Sequence, residues 1–375
     1  MAANSDTLQT IARLTPLADV LALVDLDIKP VTPRAVELPQ ATGCTLAADV
    51  MAPSRPSAAL AIIDGWALAA DATLGAGGYS PALLPETPTR IEAGQPMPPD
   101  TDSVAPFDAV KFSNGRAEAL STINPGDGVL PAGGDCDSQI PMGRAGEPLS
   151  LTDLAAFAGA GIARVTVRQP RIRVLPLRGS GIINAAARLV AGDIDRRGGS
   201  ARLDDAGRDF AGVLGAESAD AIIAIGGTGN GRNDNSVQLL MRDGKVAVHG
   251  IALSPGETAA LGFTGNCPVL MLPGRIDAAL SVWLTVGRRM MERLAAASMT
   301  KVSEPPENLA LVRKVSSTVG FAELVPVRRN GDGVEPMATK YLPLSLLARS
   351  DGWILVPADS EGYAEGSIVQ VRPWP

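Results

Sequence analysis

The stretch best suited to chemistry is Gly226-Gly227-Thr228-Gly229-Asn230-Gly231-Arg232-Asn233-Asp234. Its glycines let a backbone come close to an anion. A helix starting just after them would offer unpaired N–H groups at the positive end of its dipole. No Gly-Lys-Ser/Thr follows, so this is not a Walker A loop, and the spacing is not a clean G-x-G-x-x-G. Two readings stay open. One is an anion site, favoured by the strongly apolar run before it. The other is a tight strand-to-helix turn capped by Asp234 or Asn233. Beside a bound phosphate, Asp234 would hold Mg²⁺ rather than the phosphate itself. A second carboxylate, Asp64, lies in the apolar run Ala61-Ile62-Ile63-Asp64-Gly65-Trp66-Ala67. It must reach solvent or meet a partner, so it reads either as an Asp-Gly turn or as an acid placed at a cleft.

The other reactive residue types are scarce. The single histidine, His249, rules out a histidine metal cluster and an HExxH zinc site. It sits in Lys245-Val246-Ala247-Val248-His249, a strand pattern in which a lone histidine is more often packed or hydrogen-bonded than catalytic. Cys44, Cys136 and Cys267 form no C-x-x-C pair and read as small buried hydrophobes in a reducing, cytoplasmic setting. Forty acidic against 33 basic residues, a net charge of -7 and 3% aromatics argue against a nucleic-acid partner. No run of about 18 apolar residues predicts a membrane helix, and the opening Met1-to-Pro16 segment lacks a signal-peptide pattern.

The positioning elements follow a pattern. Residues 171–177, 219–227 and 268–274 are apolar runs, each followed by a glycine-containing turn and a helical pattern. Three strand–turn–helix units predict a parallel α/β sheet covered on both faces. Ligands of such sheets sit outside the carboxyl ends of the strands, here at Gly179–Gly181, Gly226–Asp234 and Pro273–Arg275. Residues 7–26 predict one or two helices broken at Pro16, and 151–162 a short helix capped by Ser150 or Thr152. Asp204-Asp205 reads as the charged start of a helix. Residues 64–129 predict a β-rich insert containing a Ser-Asn-Gly-Arg hairpin turn. Residues 301–306 predict a linker before a small all-β module.

Several of these segments, in this order, resemble the molybdopterin molybdenumtransferase (MoeA-type) family, whose eukaryotic relative is the gephyrin E domain. Gly43-to-Pro53 is similar to the family's G-R-x-L-A-x-D-V-x-A-P. Asp64-Gly65-Trp66-Ala67 is similar to M-D-G-Y-A, Ile225-to-Gly229 to its S-G-G turn, and Leu272-Pro273-Gly274 to the start of L-P-G-N-P. Ser350-to-Ile354 with Pro357-to-Gly362 is similar to the C-terminal A-N-G-L-I-x-L-P-x-x-x-x-G. The resemblance spans nearly the whole chain.

It implies an elongated multidomain subunit, α/β plus β. Residues 1–50 and 138–168 would form a helical and linking domain, and 51–137 a β-rich inserted domain. Residues 169–300 would form a doubly wound molybdopterin-binding domain, and 301–375 a C-terminal β-barrel. It also implies a homodimer, with Asp64 entering the cleft from the second subunit. The implied activity is insertion of molybdate into adenylylated molybdopterin with Mg²⁺ and release of AMP. Asp64 and Asp234 would then be the catalytic and metal-site acids. Gly226, Gly227, Thr228, Gly229, Gly231, Arg232, Ser180, Pro273, Gly274 and Arg275 would hold the pterin substrate.

The departures from the family pattern point the other way. The T-G-D-E region reads Leu177-Arg178-Gly179-Ser180-Gly181, without the Asp-Glu pair. I-x-T-G-A has Ala93 in place of the threonine, and R-x-x-G-E-D reads Leu130-Pro131-Ala132-Gly133-Gly134-Asp135. K-P-G-K-P reads Ser254-Pro255-Gly256-Glu257-Thr258, and L-P-G-N-P continues as Arg275-Ile276. Lost phosphate contacts of this kind cost roughly 1.5–3 kcal/mol each unless replaced. Arg178, Arg232 and Arg275 at the three strand ends are the replacements on offer. The alternative to turnover is a paralogue that binds molybdopterin as carrier, scaffold or maturation factor for a client molybdoenzyme.

Overall fold

The computed structural model describes residues 9–207, 210–214, 219–232, 234–298, 305–338 and 341–375. The chain forms two compact units. One contains Met1–Ala48, Ala145–Leu154 and Arg164–Pro375, and the other Asp49–Arg144 with Ala155–Ala163.

A six-stranded sheet dominates the first unit. Its order is Ser200–Leu203, Arg171–Pro176, Ala221–Ile225, Cys267–Leu272, Ala260–Thr264, Lys245–His249. The first four strands are parallel, Ala260–Thr264 runs against them, and Lys245–His249 pairs antiparallel with Ala260–Thr264. Ala221–Ile225 is buried along its whole length, as expected of a central parallel strand with helices on both sides. One face packs Ile172, Val174, Ile223, Ile225, Leu270 and Leu272 against helix Gly181–Arg196 and the long helical segment from Ile276. The other packs Leu175, Ile222, Ala224, Val269 and Met271 against helices Phe210–Leu214 and Ser236–Asp243.

Helix Gly181–Arg196 is pinned to the long segment through one buried acid. Asp193 accepts hydrogen bonds from Trp283 Nε1 at 2.8 Å, Arg288 Nε at 3.0 Å and Arg197 Nε at 3.2 Å. The long segment runs Ile276–Val282 and Arg288–Ala295 with a π-helical turn, Trp283–Gly287, between them. That turn delivers the Trp283 indole to Asp193.

Five strands close the C-terminal barrel: Glu307–Leu311, Ala322–Asn330, Gly333–Pro336, Gly352–Val356 and Ile368–Pro373. Each pairs with two of the others, and Ala322–Asn330 completes the ring by pairing with both Gly333–Pro336 and Gly352–Val356. In the second unit, Gly65–Leu68 is flanked by Thr89–Ile91 and Ser103–Ala105. Val110–Ser113 and Arg116–Ala119 form the expected hairpin, with Asn114 and Gly115 both at positive φ.

Two local expectations are corrected. Residues 9–14 form no regular element. Thr15–Pro16 pairs in parallel with Ile251–Ala252, and the helix is Leu17–Asp27, so a long-range pairing overrides the helical spacing. Asp204 opens no helix. It follows strand Ser200–Leu203 and forms a buried ion pair with Arg173 at 2.9 Å, while the helix begins at Phe210. Part of the expected linker, 301–304, lies outside the described residues. Among them, no helix is long and apolar enough to cross a membrane.

Candidate functional site

The chain leaves Arg171–Pro176 toward one side of the sheet and returns as Ala221–Ile225 on the other side. The carboxyl ends of these two neighbouring strands therefore open a crevice, the usual ligand position of a doubly wound sheet. Three expected segments meet there. Gly226 N–H donates to the Leu272 carbonyl at 2.8 Å. A Cβ on Gly226 would stand 3.1 Å from Ile183 Cδ1, and one on Gly274 3.5 Å from the same atom. Gly226 (φ 101°) and Gly227 (φ 72°) occupy the left-handed region, which explains the glycine pair at the strand's exit. Pro273 is buried beside them.

Ser180 caps helix Gly181–Arg196, its Oγ accepting from Ile183 N at 3.2 Å. Arg232 is exposed and makes no ion pair or hydrogen bond among the described residues. Arg275 is committed elsewhere. Its guanidinium makes a two-point ion pair with buried Asp277, and its Cζ stands 4.7 Å from the centre of the Tyr341 ring. The Asp277 hydrogen bond, against some desolvation, raises the Arg275 pKa further. This arginine braces the start of the helix at Ile276 more than it serves an incoming anion.

Asp234 is not the helix cap. Asn235 holds that position without a side-chain cap bond, and Asn233 lies outside the described residues. The Asp234 carboxylate folds back instead. Oδ1 accepts from Arg178 Nη2 at 2.9 Å, and Oδ2 accepts from Gly231 N at 3.2 Å. A Cβ on Gly229 would come within 2.8 Å of Oδ2, so the glycine loop wraps closely around this acid. The Mg²⁺ implied by the resemblance does not fit this arrangement. Each carboxylate oxygen of Asp234 already accepts from a donor, one of them a cation. No group of three metal-ligating side chains occurs among the described residues.

Gln9 was not anticipated. It is 4% exposed, and its Nε2 donates to the carbonyls of Gly227 at 2.9 Å and Gly229 at 2.7 Å. Its Oε1 accepts from Val237 N at 3.2 Å, so one first-turn donor of helix Ser236–Asp243 is already taken. A single glutamine 218 residues away carries no spacing signal that would have found it. Thr228 is held from two further sides. Its hydroxyl meets the Thr258 hydroxyl at 3.0 Å, and its carbonyl is 3.1 Å from His249 Nε2. His249 is thus hydrogen-bonded to the loop's frame, in line with the sequence reading.

Asp64 lies in the second unit. It is exposed just before strand Gly65–Leu68, and its Oδ1 accepts from Ala93 N at 2.8 Å. The loop that lacks the family's threonine hydroxyl thus supplies a backbone donor to this acid.

Comparison with known proteins places these features in a family. The MoeA N-terminal region (domain I and II) matches residues 9–161, and the MoeA C-terminal region (domain IV) matches residues 308–374. The chain belongs to the MoeA-type family. It is 26% identical over 384 residues to a Methanocaldococcus jannaschii protein named for molybdopterin biosynthesis, covering 90% of this chain and 91% of that one. It is 26% identical over 390 residues to molybdopterin molybdenumtransferase 2 of Mycobacterium tuberculosis, covering 90% and 94%. The crystal structure of the molybdopterin biosynthesis MoeA protein of Pyrococcus horikoshii matches with a TM-score of 0.77 at 19% identity, over 96% of this chain and all of that one. That likeness shows a shared fold.

Proposed function

We propose that this chain acts in molybdenum cofactor biosynthesis by binding molybdopterin at the switch-point crevice. Family membership and the names of its relatives support the pathway. The observation that carries the site is the convergence of the Gly226–Gly231 loop, the capped helix at Ser180 and the Gly274 turn at one crevice. Ser180 and Arg232 would meet the pterin's polar groups, and Gly226, Gly227, Gly229, Gly231, Pro273 and Gly274 would shape the wall. Thr228, buried and bonded to Thr258 and His249, would hold the loop from beneath.

Of the two forms of this role, carrier or maturation factor is favoured over turnover. Molybdate insertion with AMP release calls in the family for a magnesium-holding acid, and here Asp234 is occupied by Arg178. Homodimer formation, a client molybdoenzyme and a cytoplasmic location belong to the same proposal.

The deciding experiment is single turnover. Full-length protein is mixed with adenylylated molybdopterin and molybdate, with and without Mg²⁺, and AMP release is followed. Retention of the pterin on the protein with no AMP above the protein-free control is expected. Molybdate-dependent AMP release abolished in Asp64→Asn and Asp234→Asn would establish the transferase instead.

A further inference from the structure

The Arg178–Asp234 pair links the turns that follow two neighbouring strand ends at the crevice. Arg178 belongs to the turn after Arg171–Pro176, and Asp234 to the loop after Ala221–Ile225. The arginine side chain is 43% exposed and the aspartate 22%, so the pair sits at the open mouth, not in the core. A pair in such a position is worth little by itself and is easily exchanged. A phosphate offers the same guanidinium two or three acceptor oxygens in bidentate geometry, which a single oxygen of Asp234 at 2.9 Å does not. Arg232, on the same loop, brings a second exposed guanidinium. Arg178 and Arg232 thus set two cations in the turns that flank Asp234, and among the described residues Asp234 belongs to no group of three metal-ligating side chains.

Resting on the site reading above, we propose that the crevice binds a phosphomonoester directly through Arg178 and Arg232, without a divalent cation, and that Asp234 is the resting counter-ion the phosphate displaces. Asp234 then opposes binding, whereas a metal-site acid would promote it. The two roles predict opposite signs for one substitution. The loop stays in place during the exchange because Gln9 and Thr258, not Asp234 alone, hold its carbonyls and its threonine.

The test is calorimetric titration of the full chain under EDTA and under Mg²⁺, with two probes that distinguish the source of the phosphate: AMP and, anaerobically, molybdopterin. For the probe that binds, the affinity should differ less than twofold between EDTA and Mg²⁺. Arg178→Ala should weaken it tenfold or more, and Arg178→Lys should restore part of the loss. Asp234→Asn should tighten it several-fold. Arg178 is exposed and Asp234 partly so, and circular dichroism checks that each variant is folded. Binding that requires Mg²⁺ and is lost in Asp234→Asn would overturn the inference while leaving the site reading intact. Binding of neither probe under any condition would overturn the site reading along with it.

Discussion

Gln9→Leu should loosen the glycine loop without disturbing the sheet beneath it. The substitution keeps most of the volume and removes three hydrogen bonds: to the Gly227 and Gly229 carbonyls and from Val237 N. Leaving a buried polar group unpaired costs about 1–3 kcal/mol. The Val237 amide is buried at the start of its helix and has no ready substitute, so it takes the full penalty. The two carbonyls border the crevice and recover part of theirs from water. Together this is roughly 2–4 kcal/mol of local stability, and 2 kcal/mol corresponds to about thirtyfold in the opening equilibrium. Hydrogen exchange of the Val237 amide reads it directly. The expected result is a loss of protection of thirtyfold or more at Val237, with the amides of strand Ala221–Ile225 unchanged. Gln9→Glu should be worse than Gln9→Leu, because it turns a carboxylate oxygen toward the two carbonyls. Protection at Val237 within twofold of the parent protein in Gln9→Leu would refute the reasoning and reduce Gln9 to a space-filling residue.

Further expectations concern the frame and the thiols. Burial works to raise the Asp193 pKa, but the Arg288 hydrogen bonds, the Arg288 and Arg197 charges and the Trp283 N–H outweigh it, so the folded value lies below 3.8. Its contribution is present above the unfolded pKa and is lost as pH falls through the depressed folded value. Asp193→Asn should therefore cost about 3–5 kcal/mol in urea unfolding at pH 7, a gap that narrows only below about pH 4. In Gly287→Ala the new methyl would lie 2.2 Å from Trp283 Cε3, so a loss of about 1–3 kcal/mol is expected by thermal unfolding. An unchanged melting temperature would mean that the π turn relaxes freely. Burial, with a smaller push from Asp220, raises the Cys267 thiol to about 11, so iodoacetamide at pH 8 should leave it unmodified until the protein unfolds. Rapid alkylation in the folded state would contradict this.

The central strands were legible because their signal is local. Ala221–Ile225 and Cys267–Leu272 are continuous apolar runs next to glycine turns, and a buried parallel strand needs little else. Strands Ser200–Leu203 and Ala260–Thr264 were missed. The first is largely exposed, and the second carries a glycine and a threonine in a short span. Asp204 shows the same limit from the other side, since only a partner 31 residues away, Arg173, turns an apparent helix-start acid into a buried ion pair.

The site divides in the same way. Its glycine loop was visible as composition. The partners that decide its chemistry were not, because Gln9 and Thr258 reach it across 218 to 220 and 30 residues. Arg178 and Asp234 were each singled out, one as replacement charge and the other as metal ligand, and sequence spacing gave no reason to join them. The reversal of the chain at the switch point sets their turns side by side, and Arg178 there pairs with the carboxylate that residue type offers as a cation ligand. Residue type alone does not reveal that pairing, and the sign proposed for the Asp234→Asn effect on phosphate binding rests on it.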